Sequence, residues 1–177
     1  MIPEIGHFAL WLALGVALTL GIVPLAGAQK GRPEWMALAR PLTVAQFALI
    51  GTAYATLTYA FVQNDFSVLY VASNSNSALP LPYRIAAVWG GHEGSLLLWM
   101  MMLCVWQLAV AKFSRHLPLP VLARILSVMG LVAVGFLAFT LITSNPFERL
   151  VPGAPDGRDL NPLLQDPGMV FHPSMLY

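Results

Sequence analysis

The sequence predicts an all-α integral membrane protein with about four transmembrane helices, an extracytoplasmic loop and a proline-rich C-terminal tail. Of its 177 residues, 58% are hydrophobic and only 10% are charged, whereas soluble globular domains carry about 25% charged residues. The apolar stretches are continuous and do not alternate with polar residues. That pattern favours membrane helices over the strands of a barrel.

Four stretches are long enough to cross the hydrocarbon core, which requires about 20 apolar residues in a helix. They cover approximately residues 8–28, 42–62, 95–111 and 125–143. The first is interpreted as a retained helix, because no basic segment precedes it and its apolar run exceeds that of a signal peptide. Residues 1–143 are therefore predicted to form the transmembrane region, and residues 144–177 an extracytoplasmic tail.

Small residues recur at every fourth position in the first two stretches, a spacing that permits close helix packing in lipid. The first set is Ala9, Ala13, Ala17 and Gly21, and the second is Ala48, Thr52, Thr56 and Ala60. We expect both sets to lie in helix contacts.

The distribution of basic residues predicts the orientation in the membrane. Six of the nine lysines and arginines fall in the two connections on one side, which the positive-inside rule assigns to the cytoplasm. Both termini, the loop of residues 63–93 and the tail then lie outside, together with seven of the eight acidic residues. The six are Lys30, Arg32, Arg40, Lys112, Arg115 and Arg124.

Several classes of function are disfavoured by composition. A net charge of +1 without a basic stripe gives no surface for nucleic acid. The apolar stretches contain no charged relay, which argues against a pump or ion transporter. The single cysteine, Cys104, cannot form an internal disulfide and is interpreted as a packing residue. Spacing alone assembles neither a zinc site nor a hydrolytic triad, and no catalytic residue is assigned.

The segment WGGHEGS places Trp89, Gly90, Gly91, His92 and Glu93 directly before the third apolar stretch. Its glycines permit close backbone approach, and an acid in the first turn suits the positive end of the helix dipole. Two interpretations remain open. The segment is either a turn that starts a helix, or a cofactor site in which His92 is a ligand or Glu93 is an orienting group.

The tail ends in the apolar segment MVFHP, in which His172 precedes a proline. Imidazole is a common ligand for haem iron and other metals. A lone histidine in a loop is also frequently an ordinary surface residue, so the pattern leaves both interpretations open.

These two segments, WGGHEGSLLLW and DLNPLLQDPGMVFHPSMLY, together resemble the N-terminal part of the CcmF family of haem-handling membrane proteins, which includes the NrfE and CcsA relatives. The stretches FSVLYVASNSNSALPLPYRIAAVWGGHEGS and LITSNPFERL fit the same pattern. The resemblance therefore covers nearly the whole chain, and its motifs are long and specific.

The resemblance implies a part in a cytochrome c haem lyase. Such a protein receives b-type haem in transit from the CcmE chaperone and, with CcmH- and CcmI-type subunits, promotes its thioether attachment to apocytochrome c outside the cytoplasm. His172 matches the family's external axial ligand to the haem iron. Residues 89–93 are expected to contact haem or CcmE. The implied location is the bacterial inner (plasma) membrane, in contact with lipid, and a mitochondrial location is less favoured.

The family's chains continue beyond this point, with a tryptophan-rich haem-binding segment, a second external histidine and two transmembrane histidines that hold a resident haem b. Those ligands are absent from this sequence. We therefore expect a split-gene product or a truncated chain that would not be active without the missing C-terminal portion. A transporter fragment and a structural scaffold subunit of a membrane complex remain as alternatives.

Overall fold

The computed structural model describes residues 1–114, 116–162 and 168, and its secondary structure there is helical. One isolated antiparallel bridge joins Val68 to Arg149. The helices of the described residues are α1 (Ile2–Lys30), α2 (Pro33–Met36), α3 (Ala39–Val62), α4 (Leu69–Asn74), α5 (Leu81–Ala87), α6 (His92–Phe113) and α7 (Leu119–Thr143).

Four helical segments are long and apolar enough to cross a membrane: α1, α2 with α3, α6 and α7. This confirms the prediction of an all-α integral membrane protein with about four spans. The helices extend beyond the apolar stretches, as far as the residues that start and end a helix. In α1, a proline lies in the first turn, and Gly31 ends the helix with a left-handed φ of 65°, a conformation that glycine adopts without steric cost.

Helix α1 packs most extensively against α7 and α3, and α6 packs against the same two helices from the other side of the bundle. The crossing of α1 and α7 depends on glycine, because a Cβ built on Gly130 would lie 3.1 Å from the backbone nitrogen of Gly21. The predicted small-residue stripe of α1 is buried there. The stripe predicted on α3 is not, since Ala48 and Thr52 are exposed.

The two ends of the bundle differ in structure and in charge. At one end α1 and α6 begin and α3 and α7 end, and this end is covered by residues 63–91 and 144–162, which we call the cap. The opposite end, the basic end, carries the connections after α1 and α6. Its described cations are Lys30, Arg32, Arg40, Lys112 and Arg124.

The loop predicted for residues 63–93 contains two short helices, α4 and α5. Helix α5 begins directly after Pro80 and has Pro82 in its first turn, a position that proline favours because its nitrogen needs no partner there. Both helices bury apolar side chains, including Val71 and Ala87. The cap is therefore a packed layer on the bundle.

Candidate functional site

The WGGHEGS segment forms the turn between α5 and α6. Gly91 is the residue before the first turn of α6, with an extended backbone, and Glu93 lies within that turn. The segment therefore starts a helix, as the first of the two interpretations expected. Such a turn also places backbone N–H groups and two polar side chains at the cap end of α6.

Tyr70, from α4, holds this turn in place. Its hydroxyl donates a hydrogen bond to the carbonyl oxygen of Val88 at 3.0 Å and accepts one from the backbone N–H of Gly91 at 3.0 Å. Its ring packs edge-to-face on Phe61, with ring centroids 5.4 Å apart. Burial raises the pKa of the Tyr70 hydroxyl well above its usual range, and the negative charge of Glu93 adds to the rise. Tyr70 is therefore a neutral structural donor at physiological pH.

The two glycines beside Tyr70 are required by packing. A Cβ on Gly91 would lie 2.7 Å from Cε2 of Tyr70, and a Cβ on Gly94 would overlap the carbonyl oxygen of Val88. Real side chains do not tolerate such contacts. The close backbone approach expected from the glycines therefore occurs. The groups that approach them are the side chain of Tyr70 and the backbone of Val88.

His92 lies at the mouth of the turn and is exposed. Its Nδ1 is 3.1 Å from the hydroxyl oxygen of Ser144, the residue that ends α7. Its ring meets Phe139 edge-to-face, with centroids 6.0 Å apart. One ring nitrogen is thus held by the protein, while Nε2 has no hydrogen-bond partner within the described part of the chain. A histidine anchored through one nitrogen is oriented to bind through the other.

An apolar groove between α6 and α7 begins beside His92. Its cap-end section has a volume of about 380 Å³, and an adjoining section of about 240 Å³ shares Val132 and Phe136 with it. A Cβ built on Gly135 would meet no atom within 4 Å, which shows how open the groove is at that point. The lining residues are Leu96, Trp99, Met102, Leu103, Trp106, Val132, Gly135, Phe136 and Phe139.

The remaining members of the predicted segment are held by backbone contacts. Trp89 is half-buried against the core, and its carbonyl oxygen accepts a hydrogen bond from the hydroxyl of Ser95 at 2.8 Å. The N–H of Gly90 donates to the carbonyl of Ala87 at 3.0 Å. Glu93 is half-buried in the first turn of α6.

The described part of the tail folds back over the loop before α4 and over α4. The N–H of Leu69 donates to the carbonyl of Glu148 at 2.9 Å, and the N–H of Leu150 donates to the carbonyl of Ser67 at 2.9 Å. Phe147 and Leu160 are buried in the core. The tail is therefore attached to the first part of the cap, residues 63–91, along most of residues 147–160.

Two charged residues fix this arrangement. Arg149 pairs with Glu4 at the start of α1 and lies 3.6 Å from the carboxylate of Asp65. Asp156 accepts hydrogen bonds from the backbone N–H and the hydroxyl of Ser77, at 3.0 and 2.7 Å. These bonds hold the pKa of the Asp156 carboxyl below its usual range. Arg149, Asp156, Tyr70 and Ser144 were not singled out from the sequence, because their partners lie far away along the chain.

The predicted haem ligand His172 lies outside the described residues, so its assignment as ligand stays a prediction. Among the residues that are described, no three histidine, cysteine, aspartate or glutamate side chains converge as a metal site. The described residues nevertheless fit a porphyrin in chemical character. The exposed, oriented imidazole of His92 lies at the cap end of the apolar groove. Haem is bound by histidine ligation and by apolar contact with the macrocycle.

Comparisons with known proteins find relatives named for cytochrome c assembly or biogenesis. The family model described as cytochrome C assembly protein matches residues 89–177, beginning at the turn described above. The chain is 59% identical to the cytochrome c-type biogenesis protein CcmF of Pseudomonas aeruginosa, covering all of this chain and 27% of that protein. It is 44% identical to NrfE of Haemophilus influenzae, with 28% of that protein covered.

A solved structure of the cytochrome c haem lyase CcmF has the same fold. It superposes with a TM-score of 0.86 at 25% identity, covering all of this chain and 28% of that chain. The chain thus spans about a quarter of the length of the curated relatives and of the solved structure that it matches.

Proposed function

Because this chain belongs to the cytochrome c assembly protein family, we propose that it contributes to the covalent attachment of haem to apocytochrome c outside the cytoplasm. In this proposal, the complete lyase takes b-type haem from a CcmE-type chaperone and works with CcmH- and CcmI-type subunits. The chain covers about 27% of its CcmF relative, so the activity is proposed for the complete lyase. The membrane would be the bacterial inner membrane.

The observation that carries the proposal is the arrangement around His92. Ser144 holds Nδ1 of the imidazole, Phe139 packs on the ring, and the aromatic groove opens beside it. This combination suits a flat apolar molecule with a polar or metal-binding part.

We assign separate roles to the two histidines. His172 would be the axial ligand to the iron of the haem in transit, as the family resemblance implies. His92 and Glu93 would make polar contacts to the haem or to the chaperone, and Trp89, Gly90 and Gly91 would supply the adjoining surface. The apolar groove would contact the edge of the porphyrin, since both surfaces are largely apolar.

The test is the absorbance spectrum of haem captured by the complete protein, co-expressed with the CcmE-type chaperone in membranes. His172→Ala should abolish or shift the haem spectrum and stop cytochrome c maturation while protein levels stay constant, because the iron loses a strong directional ligand. His92→Ala should reduce capture, and Ser144→Ala should reduce it less, since the imidazole remains but is no longer held.

His116→Ala is the matched control, because His116 is an exposed histidine in the connection at the basic end. It should leave both the spectrum and maturation unchanged. Normal haem capture and maturation in the His172 variant would contradict its assignment as ligand. Absence of any haem spectrum in the unmodified complex would favour the transporter or scaffold alternative.

A further inference from the structure

A layer of polar residues divides the buried core of the bundle. On the cap side, the main apolar cluster extends as far as Ala17, Ile50, Cys104 and Ala133. On the basic side, a smaller apolar cluster consists of Leu20, Ala39, Ala111, Leu122 and Leu126. Between the two clusters, α3, α6 and α7 place fully buried polar residues, which we call the polar layer: Thr43, Gln46, Gln107 and Ser127.

Two members of the polar layer are satisfied by backbone carbonyls. The hydroxyl of Thr43 donates to the carbonyl of Ala39 at 2.8 Å, and the hydroxyl of Ser127 donates to the carbonyl of Leu20 at 3.0 Å. Hydroxyl groups within helices commonly form such bonds. These two residues therefore need no further partner.

The two glutamines differ from them. Gln46 and Gln107 are both 0% exposed, and neither the oxygen nor the nitrogen of either carboxamide has a hydrogen-bond partner in the described part of the chain. Each carboxamide can donate two hydrogen bonds and accept two. More than 90% of buried polar groups in proteins are paired, so two exceptions in the same layer of a membrane-embedded core require an explanation.

The glutamines lie at similar depths on two helices that pack against each other, α3 and α6. These helices run in opposite directions, and the terminal methyl of Met101 lies 3.6 Å from a Cβ built on Gly51, which places Gly51 and Met101 at comparable depths. Gln46 lies five residues before Gly51, and Gln107 lies six residues after Met101. Both positions are displaced toward the basic end by similar distances, roughly 8 and 9 Å at 1.5 Å per residue.

We propose that Gln46 and Gln107 form a water-binding site within the transmembrane bundle, in which bound water bridges the two carboxamides. Water both donates and accepts, and buried water typically forms two to four hydrogen bonds to otherwise unsatisfied groups. The two glutamines supply such groups from two neighbouring helices, while the apolar clusters on either side exclude larger polar molecules. The proposal is independent of haem handling.

Solid-state NMR of the complete protein in lipid bilayers tests this directly. With glutamine side chains labelled with ¹⁵N and the methyl groups of leucine and alanine labelled with ¹³C, magnetisation transferred from water should reach the carboxamides of Gln46 and Gln107. The exposed Gln29 and Gln63 serve as positive controls, and the methyl groups of buried Leu57 and Ala53 serve as negative controls. Gln107→Leu should cause loss of the water signal at Gln46, because the bridge has lost one end.

A wild-type spectrum in which both carboxamides are as silent as the Leu57 methyls would overturn the proposal, whether the amides pair directly or remain dry. This measurement needs no variant and so does not depend on a variant folding. A second readout is the double-mutant cycle of Gln46→Met and Gln107→Met. We expect it to show coupling of about three-fold in the unfolding equilibrium, the typical size for polar pairs in membranes, and no coupling would contradict a bridge.

Discussion

At the scale of single residues, Gly94 occupies a position with no space for a side chain. A Cβ there would overlap the carbonyl oxygen of Val88 and press on the Tyr70 hydroxyl, so the backbone of the cap would have to move. We predict that Gly94→Ala lowers the free energy of unfolding by roughly 1–3 kcal/mol, the usual cost of overpacking. Unfolding of the protein in bilayers, followed by steric trapping, measures this difference.

Gly15→Ala is the matched control, because a Cβ on Gly15 meets no atom within 4 Å. It should leave the unfolding free energy unchanged or raise it by up to about 1 kcal/mol, because alanine favours the interior of a helix over glycine. Equal effects of the two substitutions would show that the contact with Val88 is not the cause.

A defect in haem attachment on substituting Gly91 or Gly94 would follow from displacement of Tyr70, and would not by itself indicate contact with haem.

At the scale of elements, the two segments of the cap, residues 63–91 and 144–162, are joined partly through Asp156. Its carboxylate accepts hydrogen bonds from Ser77 and from the backbone N–H of Gly157, and its pKa is lowered below the ordinary value of 3.8. A lowered pKa means that attachment is favoured above that value and is lost as pH falls through the folded pKa. We predict that Asp156→Asn increases amide hydrogen exchange in residues 69–79 at neutral pH.

Glu148→Gln is the control for this prediction, because it removes the same charge from an exposed side chain in the same segment. Exchange in residues 69–79 should then stay at the wild-type rate. Equal increases of amide hydrogen exchange in the two variants would contradict the prediction. They would show that the total charge of the tail, and not the bonds to Ser77, protects residues 69–79.

The helices show which elements could be predicted from the sequence. The four spans were predictable because length and hydropathy alone determine them. Helices α4 and α5 were missed because each is under eight residues and is stabilised by contacts with the tail and the bundle. The stripe from Ala48 to Ala60 was assigned to the wrong face, because small residues occur on both faces of α3: Ala48 is exposed, whereas Ala53 is buried. The buried face of α3 instead follows Gln46, Ile50, Ala53 and Leu57.

The site was predictable only in part, for a related reason. The segment from Trp89 to Glu93 could be singled out by its glycines and its titratable residues. The partner of His92, however, is Ser144, which lies 52 residues further along the chain. Tyr70 likewise reaches Val88 and Gly91 only through the folding of the cap. Periodicity carries no signal for such contacts.

At the scale of the whole molecule, charge is divided between the two ends of the bundle. The described cations of the connections after α1 and α6 lie at the basic end, whereas Arg84, Arg149 and Arg158 lie in the cap with most of the acidic residues. By the positive-inside rule, the basic end would face the cytoplasm and the cap would face outward. The proposed function requires this orientation, because haem attachment is proposed to occur outside.

Labelling of single cysteines from outside the cell tests this orientation most directly. Ala78 in the cap and His116 at the basic end are both exposed, while the native Cys104 is buried and provides a low background. In intact spheroplasts, a membrane-impermeant maleimide should label Ala78→Cys and should label His116→Cys only after permeabilisation. Labelling of His116→Cys in intact spheroplasts, with Ala78→Cys protected, would place the cap in the cytoplasm and contradict the proposed site of haem attachment.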